Sequence, residues 1–361
     1  MIKYFLLLFV ILNHHHSYAK NDKNTSKFPC SCGKSLKKNA ILASVHKKTP
    51  KGMVEIPAGT FMMGGHDSQA KLDELPLHEV KLDSFYMDET EITNAQFEVF
   101  VEKTHFTTIA EKPVDWELLK KQLPPDTPKP SPEVLAPGSL VFSPPDHAIN
   151  LNDPSQWWLW VNGASWRHPL GPNSQILGND HPVVHISWED ANAYCQWKGK
   201  RLPTEAEREW AARGGLENKM YPWGDEDVDL GVIKTNIWQG AFPHQSTKKN
   251  YWTTPVKTYS PNGYGLYDMA GNVWEWTADF YDANYYSSLE KQGIAVNPHN
   301  VEKSFDPDEP NVKKYVLRGG SFLCHKSYCM GYRVSARMKT SPDTALGNVG
   351  FRCVQDKKSI H

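Results

Sequence analysis

Large aromatic side chains set between chain breakers constrain the fold of this sequence more than any other feature. Thirteen Trp, 15 Tyr and 14 Phe are interspersed with 26 Pro and 24 Gly over 361 residues. Proline interrupts helices and central strands, and glycine favours turns. Each buried aromatic ring covers roughly 150–250 Å². Together these predict a compact, loop-rich body in which short elements are pinned by large rings. No internal repeat and no heptad pattern runs through it.

The local patterns agree. Val54-Glu55-Ile56-Pro57 and Gly59 to Gly64 read as strands around a turn, and Val80 to Met87 alternates like another strand. Thr93 opens a helix running to about Lys103, with Phe97, Phe100 and Val101 on one face. Eight prolines between Pro124 and Pro145 exclude regular structure and predict a long surface excursion. Ser187 and Thr204 each stand three residues before a carboxylate, Asp190 and Glu207, which marks a helix start. Two helices follow, roughly 188–198 and 205–213. Beyond Gly214 turns and short strands are expected, with a strong turn signal at Asn262-Gly263. The class is α+β with much irregular structure.

Residues 1–19 read as a signal peptide. Lys3 precedes nine apolar residues, Tyr4 to Leu12, and Ser17-Tyr18-Ala19 suits cleavage. Nine is far short of the ~20 a membrane helix needs, and no later run is long and apolar enough, so no membrane span is expected. Residues 20–50 carry eight Lys against one Asp and read as a basic disordered tail. The rest, one globular domain over 51–357, is then acidic and offers no nucleic-acid footprint. The expected setting is exported or secretory: periplasm or extracellular space in a bacterium, endoplasmic reticulum lumen in a eukaryote.

An oxidising compartment makes the six cysteines informative. Cys30 and Cys32 are too close to bridge each other without strain. A bridge between Cys195 and Cys353 would close a very long loop, worth up to about 5 kcal/mol in the chain-entropy model. Cys324 and Cys329 lie in Arg318-Gly319-Gly320-Ser321-Phe322-Leu323-Cys324-His325-Lys326-Ser327-Tyr328-Cys329. Two readings stand for this pair. It is a local disulfide, or its thiols are kept for redox chemistry or for a soft ion such as Cu(I), with His325 as a nearby acid–base group. A second constellation, Asp268 to Trp276, puts Asp268 and Glu275 near carbonyls freed by a glycine turn. That arrangement suits Ca2+, or else the carboxylates cap turns while Trp274 and Trp276 pack the core.

The run from Arg318 to Cys353, ending in Gly350-Phe351-Arg352-Cys353, resembles the active-site region of the formylglycine-generating enzymes, also called sulfatase-modifying factors. Phe85 to Asp88, Trp166 to Pro169, His181 to His185, Lys200 to Glu207, Asn236 to Gly240 and Asn272 to Trp276 are similar to that family's motifs in the same order. The similarity covers about residues 51–356. It implies the family's fold, a C-type-lectin-like variant with little regular secondary structure. It also implies the family's activity: the cysteine of a Cys-x-Pro/Ala-x-Arg motif, in an unfolded or nascent sulfatase, is oxidised to Cα-formylglycine with O2 and a thiol reductant. Cys324 and Cys329 match the pair that holds Cu(I), Cys329 being the residue that meets the substrate thiol. Ser321, His325 and Trp274 match pocket residues. The alternative is a non-catalytic relative that only binds sulfatases or other peptides, and such a relative is expected to lack one or both thiols.

Structural Ca2+ is implied as well. Asn236 and Ile237 match ligands of one site, with Asn250 and Trp252 the nearest counterparts of its other half, although Asn250 stands where the family has an Asp. Asp268, Gly271, Val273 and Glu275 match a second site, with Glu91 as a further ligand. Cys195 and Cys353 match a family disulfide. A second bridge of the animal enzymes corresponds to Ala212 and Val334, so both of its partners are missing together. Arg208 replaces an aromatic of the family, and the sequence offers no reason for it.

Overall fold

The computed structural model describes residues 49–124 and 126–357. The signal peptide, nearly all of the basic tail, and Cys30 and Cys32 lie outside the described residues.

Short strands pair across distant parts of the chain. Met53–Ile56 and Gly59–Met63 are strands as expected, but they do not pair with each other. Met53–Ile56 runs antiparallel to Phe85–Asp88, whose other edge takes Val354–Asp356. Gly59–Met63 pairs instead with His78–Leu82. The alternating run expected over 80–87 is therefore two strands in two sheets, broken at Asp83-Ser84. Phe85 to Asp88 is buried throughout, and a strand covered on both faces has no reason to alternate.

The proline-rich segment also differs from its reading. Gly138–Phe142 lies in its longest proline-free stretch and forms a wholly buried strand against Trp158–Asn162. With no proline there, its full ladder of donors is intact, and Leu140 and Phe142 join the main core. A helix at Tyr285–Gln292, where only turns and strands are expected, buries Tyr286 and Leu289. The three helices that were legible, Asn94–Thr104, Trp188–Trp197 and Glu205–Arg213, begin at Thr93, Ser187 and Thr204, each with a capping box.

The site is carried by a four-stranded sheet in the order Arg337–Thr340, Tyr315–Arg318, Trp274–Phe280, Val349–Gly350. The Glu205–Arg213 helix packs beside it and breaks the usual amphipathic rule. Five of its nine residues are charged, yet all but Trp210 are buried. The charges are paired within the protein. Glu205 receives Arg318 and Arg337, Glu209 receives Arg318 and Arg213, and Glu207 receives Arg201. Removing one member of such a buried pair costs about 3–5 kcal/mol, because the other charge stays desolvated. The network therefore places Arg318, and with it the point from which the cysteine loop departs.

Candidate functional site

The thiol loop is shaped by backbone before side chains. Gly319 and Gly320 have φ of 96° and 76°, a region that glycine enters at no steric cost, and they turn the chain away from the Tyr315–Arg318 strand. A Cβ on Gly320 would lie 2.7 Å from the backbone of Gly331 and Tyr332, so the two limbs of the loop touch there. Gly331 is equally confined. A Cβ on it would collide with the Trp274 ring and come within 3.1 Å of Cys324 Sγ. The body holds the loop through Phe322 N–H to Asn272 O (2.9 Å) and Trp238 N–H to Cys324 O (3.1 Å).

Cys324 and Cys329 are not bonded. Their sulfurs lie 2.7 Å apart as a donor–acceptor pair, with Cys324 buried and Cys329 partly exposed. Burial pushes the Cys324 thiol well above its ordinary value, while the hydrogen bond from Cys324 holds the Cys329 thiol below its own. The proton thus resides on Cys324, and Cys329 is the first to become the thiolate, the nucleophilic and metal-binding form. Ser321 N–H faces Cys324 Sγ at 3.4 Å, and Ser321 Oγ accepts from Leu323 N–H (3.3 Å) and Asn348 Nδ2 (3.0 Å).

The structure thus brings Ser321 N–H against the buried thiol, with Gly331 lying between that sulfur and the Trp274 ring. His325 is turned elsewhere: its Nδ1 meets Ser327 Oγ at 2.8 Å, burial lowers its pKa, and its ring lines an open cavity of about 470 Å³. Lys326, Asp229, Gln239 and Thr247 line the same cavity. Two residues of this site escaped the sequence reading. Gly331 was visible as a glycine two positions past Cys329, but its contact with Trp274 was not. Asn348 carries no local signal, because its part is defined by Ser321, 27 positions away.

Among the described residues no three His, Cys, Asp or Glu side chains converge as a metal cluster. The thiol pair is by itself a two-sulfur donor set, which suits a soft monovalent ion such as Cu(I).

The residues matched to Ca2+ divide into two unlike groups. Asn236 Oδ1 and Ile237 O are both occupied by the Lys248 ammonium, whose pKa burial lowers to about 8. Asn250 is exposed and uses its side-chain oxygen to accept Trp252 N–H, and Trp252 O accepts from Asn236 Nδ2. In the second group Glu275 is fully buried with both oxygens taken. Arg208 and Arg352 each donate Nε to Oε2 and Nη2 to Oε1. Arg208 also donates to Met269 O at 3.1 Å, which accounts for a guanidinium at a position where an aromatic could make neither bond.

Glu91 is the opposite case, fully buried with neither oxygen partnered. Burial, and then the neighbouring Asp268, push its pKa well above the carboxylate range. Burial raises Asp268 to about 6, while its Oδ2 accepts Lys257 N–H at 2.9 Å. Glu91 therefore has acceptor capacity unused, and Glu275 has none.

Elsewhere, Cys195 and Cys353 form a disulfide with a Cα–Cα distance of 5.7 Å. Ala212 and Val334 sit in one apolar cluster with Ile56 and Met269.

Comparison with known proteins places this geometry. Residues 38–357 match the sulfatase-modifying factor enzyme 1-like domain. The chain is 44% identical over 309 residues to a Mus musculus protein named formylglycine-generating enzyme, covering 84% of this chain and 75% of that one. It is 44% identical over 318 residues to the Streptomyces coelicolor protein of the same name, covering 86% and 90%. A Bos taurus relative named inactive C-alpha-formylglycine-generating enzyme 2 is 37% identical over 307 residues, covering 83% and 87%. Among solved structures, PvdO from Pseudomonas aeruginosa matches in fold with a TM-score of 0.56 at 22% identity, over 84% of this chain and 94% of that one. With its short helices, small sheets and much irregular chain, this protein belongs to the formylglycine-generating enzyme, or sulfatase-modifying factor, family.

Proposed function

We propose that this protein oxidises the cysteine of a sulfatase Cys-x-Pro/Ala-x-Arg motif to Cα-formylglycine, with Cu(I), O2 and a thiol reductant. The observation that carries the reading is the unbonded thiol pair, one cysteine buried and the other partly exposed, in a protein whose two other described cysteines are joined. Relatives named for the same product, at 41–44% identity, support it.

Electron balance defines the co-reactants. Converting the cysteine's thiol-bearing methylene to an aldehyde removes two electrons at carbon, whereas O2 accepts four on reduction to water. Two external thiols supply the remaining two. One substrate thiol, one O2 and two reductant thiols thus give one aldehyde, one hydrogen sulfide, one reductant disulfide and one water. Bound Cu(I) would supply the reduction of O2, and Cys324 and Cys329 are the residues that would hold it. Cys329, ionising first and lying at the rim, meets the substrate. Cys324 stays fixed behind it, held by Ser321 N–H on one side and by Trp274 through Gly331 on the other. Trp274 and Gly331 also keep water from the buried sulfur. The cavity walled by His325 and Lys326 takes residues that flank the substrate cysteine. Such a recessed site calls for an extended, unfolded segment. Glu91 and Asp268, with the carbonyls of Gly271 and Val273, would hold one structural Ca2+, because the orphaned Glu91 carboxylate lacks any other partner. The core disulfide fits an exported protein.

Mass spectrometry of a Cys-x-Pro-x-Arg peptide, incubated with Cu(I)-loaded protein, O2 and a thiol, tests the proposal. Aldehyde formation that needs copper and both thiols is the expected result. Folded, copper-loaded protein that binds the peptide without converting it would overturn the enzymatic reading in favour of a non-catalytic sulfatase- or peptide-binding member.

A further inference from the structure

Lys248 Nζ donates to Asn236 Oδ1 at 2.8 Å and to Ile237 O at 2.7 Å. Those are the two residues that family resemblance assigns to a first Ca2+. We infer that Lys248 is a built-in substitute for that ion: its tethered ammonium holds Asn236 and Ile237, and the position takes no metal.

The remaining donors do not suit Ca2+, which takes six to eight oxygens and favours carboxylates. The oxygens at this position are neutral. Asn250 spends its side-chain oxygen on Trp252 N–H, and Trp252 O is occupied by Asn236 Nδ2 at 2.9 Å. An ammonium lodged on the same oxygens repels any dication that approaches them. A lysine tethered in the chain has no translational freedom to lose, only that of its side chain, and it needs no supply of free ion.

What the ammonium holds connects it to the thiols. Asn236 Nδ2 donates to Asn272 Oδ1 at 3.1 Å, and Asn236 O accepts Asn272 N–H at 2.8 Å. Asn272 O in turn accepts Phe322 N–H, and Trp238, next to Ile237, donates its N–H to Cys324 O. A chain of hydrogen bonds thus links Lys248 to the cysteine loop through Asn236 and Asn272.

Native mass spectrometry of the full chain at saturating Ca2+, with thermal unfolding alongside, tests this. The wild type is expected to carry at most one Ca2+, and Glu91→Gln none. Lys248→Asp should carry one more than the wild type and gain a Ca2+-dependent rise in Tm. Lys248→Met should lose several degrees of Tm at every Ca2+ level. Two ions on the wild type, no added ion on Lys248→Asp, or an unchanged Tm in Lys248→Met would overturn the inference. Should a Lys248 variant not fold, the wild-type count decides alone. A wild type with no Ca2+ removes the ion proposed at Glu91 and still supports Lys248 as the substitute.

Discussion

Cys195 and Cys353 stand 158 residues apart and are bonded, both within the main core. Cys324 and Cys329 stand five residues apart with sulfurs 2.7 Å from each other, and they remain thiols. Closeness in sequence therefore decides nothing about which pair is locked. The locked pair joins the Trp188–Trp197 helix to the chain just before Val354–Asp356, and both of its cysteines are fully buried. The open pair lies in a loop whose shape is imposed by Gly319, Gly320 and Gly331, and only one of its two cysteines is fully buried. The bridge thus joins two fully buried cysteines, whereas the open pair sets a buried cysteine beside a partly exposed one.

Four experiments put that contrast at risk. Replacing either Cys324 or Cys329 by Ser should lower peptide conversion by roughly 1,000-fold or more, since residues that act as a unit fail together. Calorimetry should show little change in Tm for either variant, and a large drop would move this pair into the structural class. Gly331→Ala should lower conversion by about 100-fold, the scale of an ångström-sized misplacement at a reacting centre. Circular dichroism should confirm an unchanged fold while Trp274 or Cys324 shifts to admit the methyl group.

The paired change Cys195→Ser with Cys353→Ser should cost about 3 kcal/mol, or roughly 5 °C in Tm. Conversion measured well below the new Tm should stay near the wild-type rate, and its loss would mean that the bridge also shapes the site. The smallest effect is kinetic. In metal-free protein, iodoacetamide should label Cys329 before Cys324. A thiol pKa held below its ordinary value puts thiolate on Cys329 at lower pH, so its labelling rate should rise at lower pH than that of Cys324, whose thiol burial keeps protonated. Equal rates measured by peptide mapping would show that the two sulfurs are not differentiated.

Legibility in the sequence followed the range of the interactions. Thr93, Ser187 and Thr204 announce their helices because each cap bonds a residue three positions on. The Gly319-Gly320 turn and the Cys324–Cys329 spacing are local in the same sense. The strand at Gly138–Phe142 was hidden by surrounding prolines, and its assignment depends on Trp158–Asn162 as a partner. The Tyr285–Gln292 helix was missed because no side chain caps its start.

Local devices were settled by the residues themselves: the helix caps at Thr93, Ser187 and Thr204 and the Gly319-Gly320 turn, each complete within a few positions. Which charges and polar groups are spent on one another was left to the packing of the folded chain. Glu275 is saturated by Arg208 and Arg352, from 67 and 77 positions away, while Glu91 is left unpaired. Asn348 reaches Ser321, and Lys248 reaches Asn236. A buried polar group must find its partner wherever the fold puts one, and that choice is made across the chain rather than by any residue's neighbours in sequence.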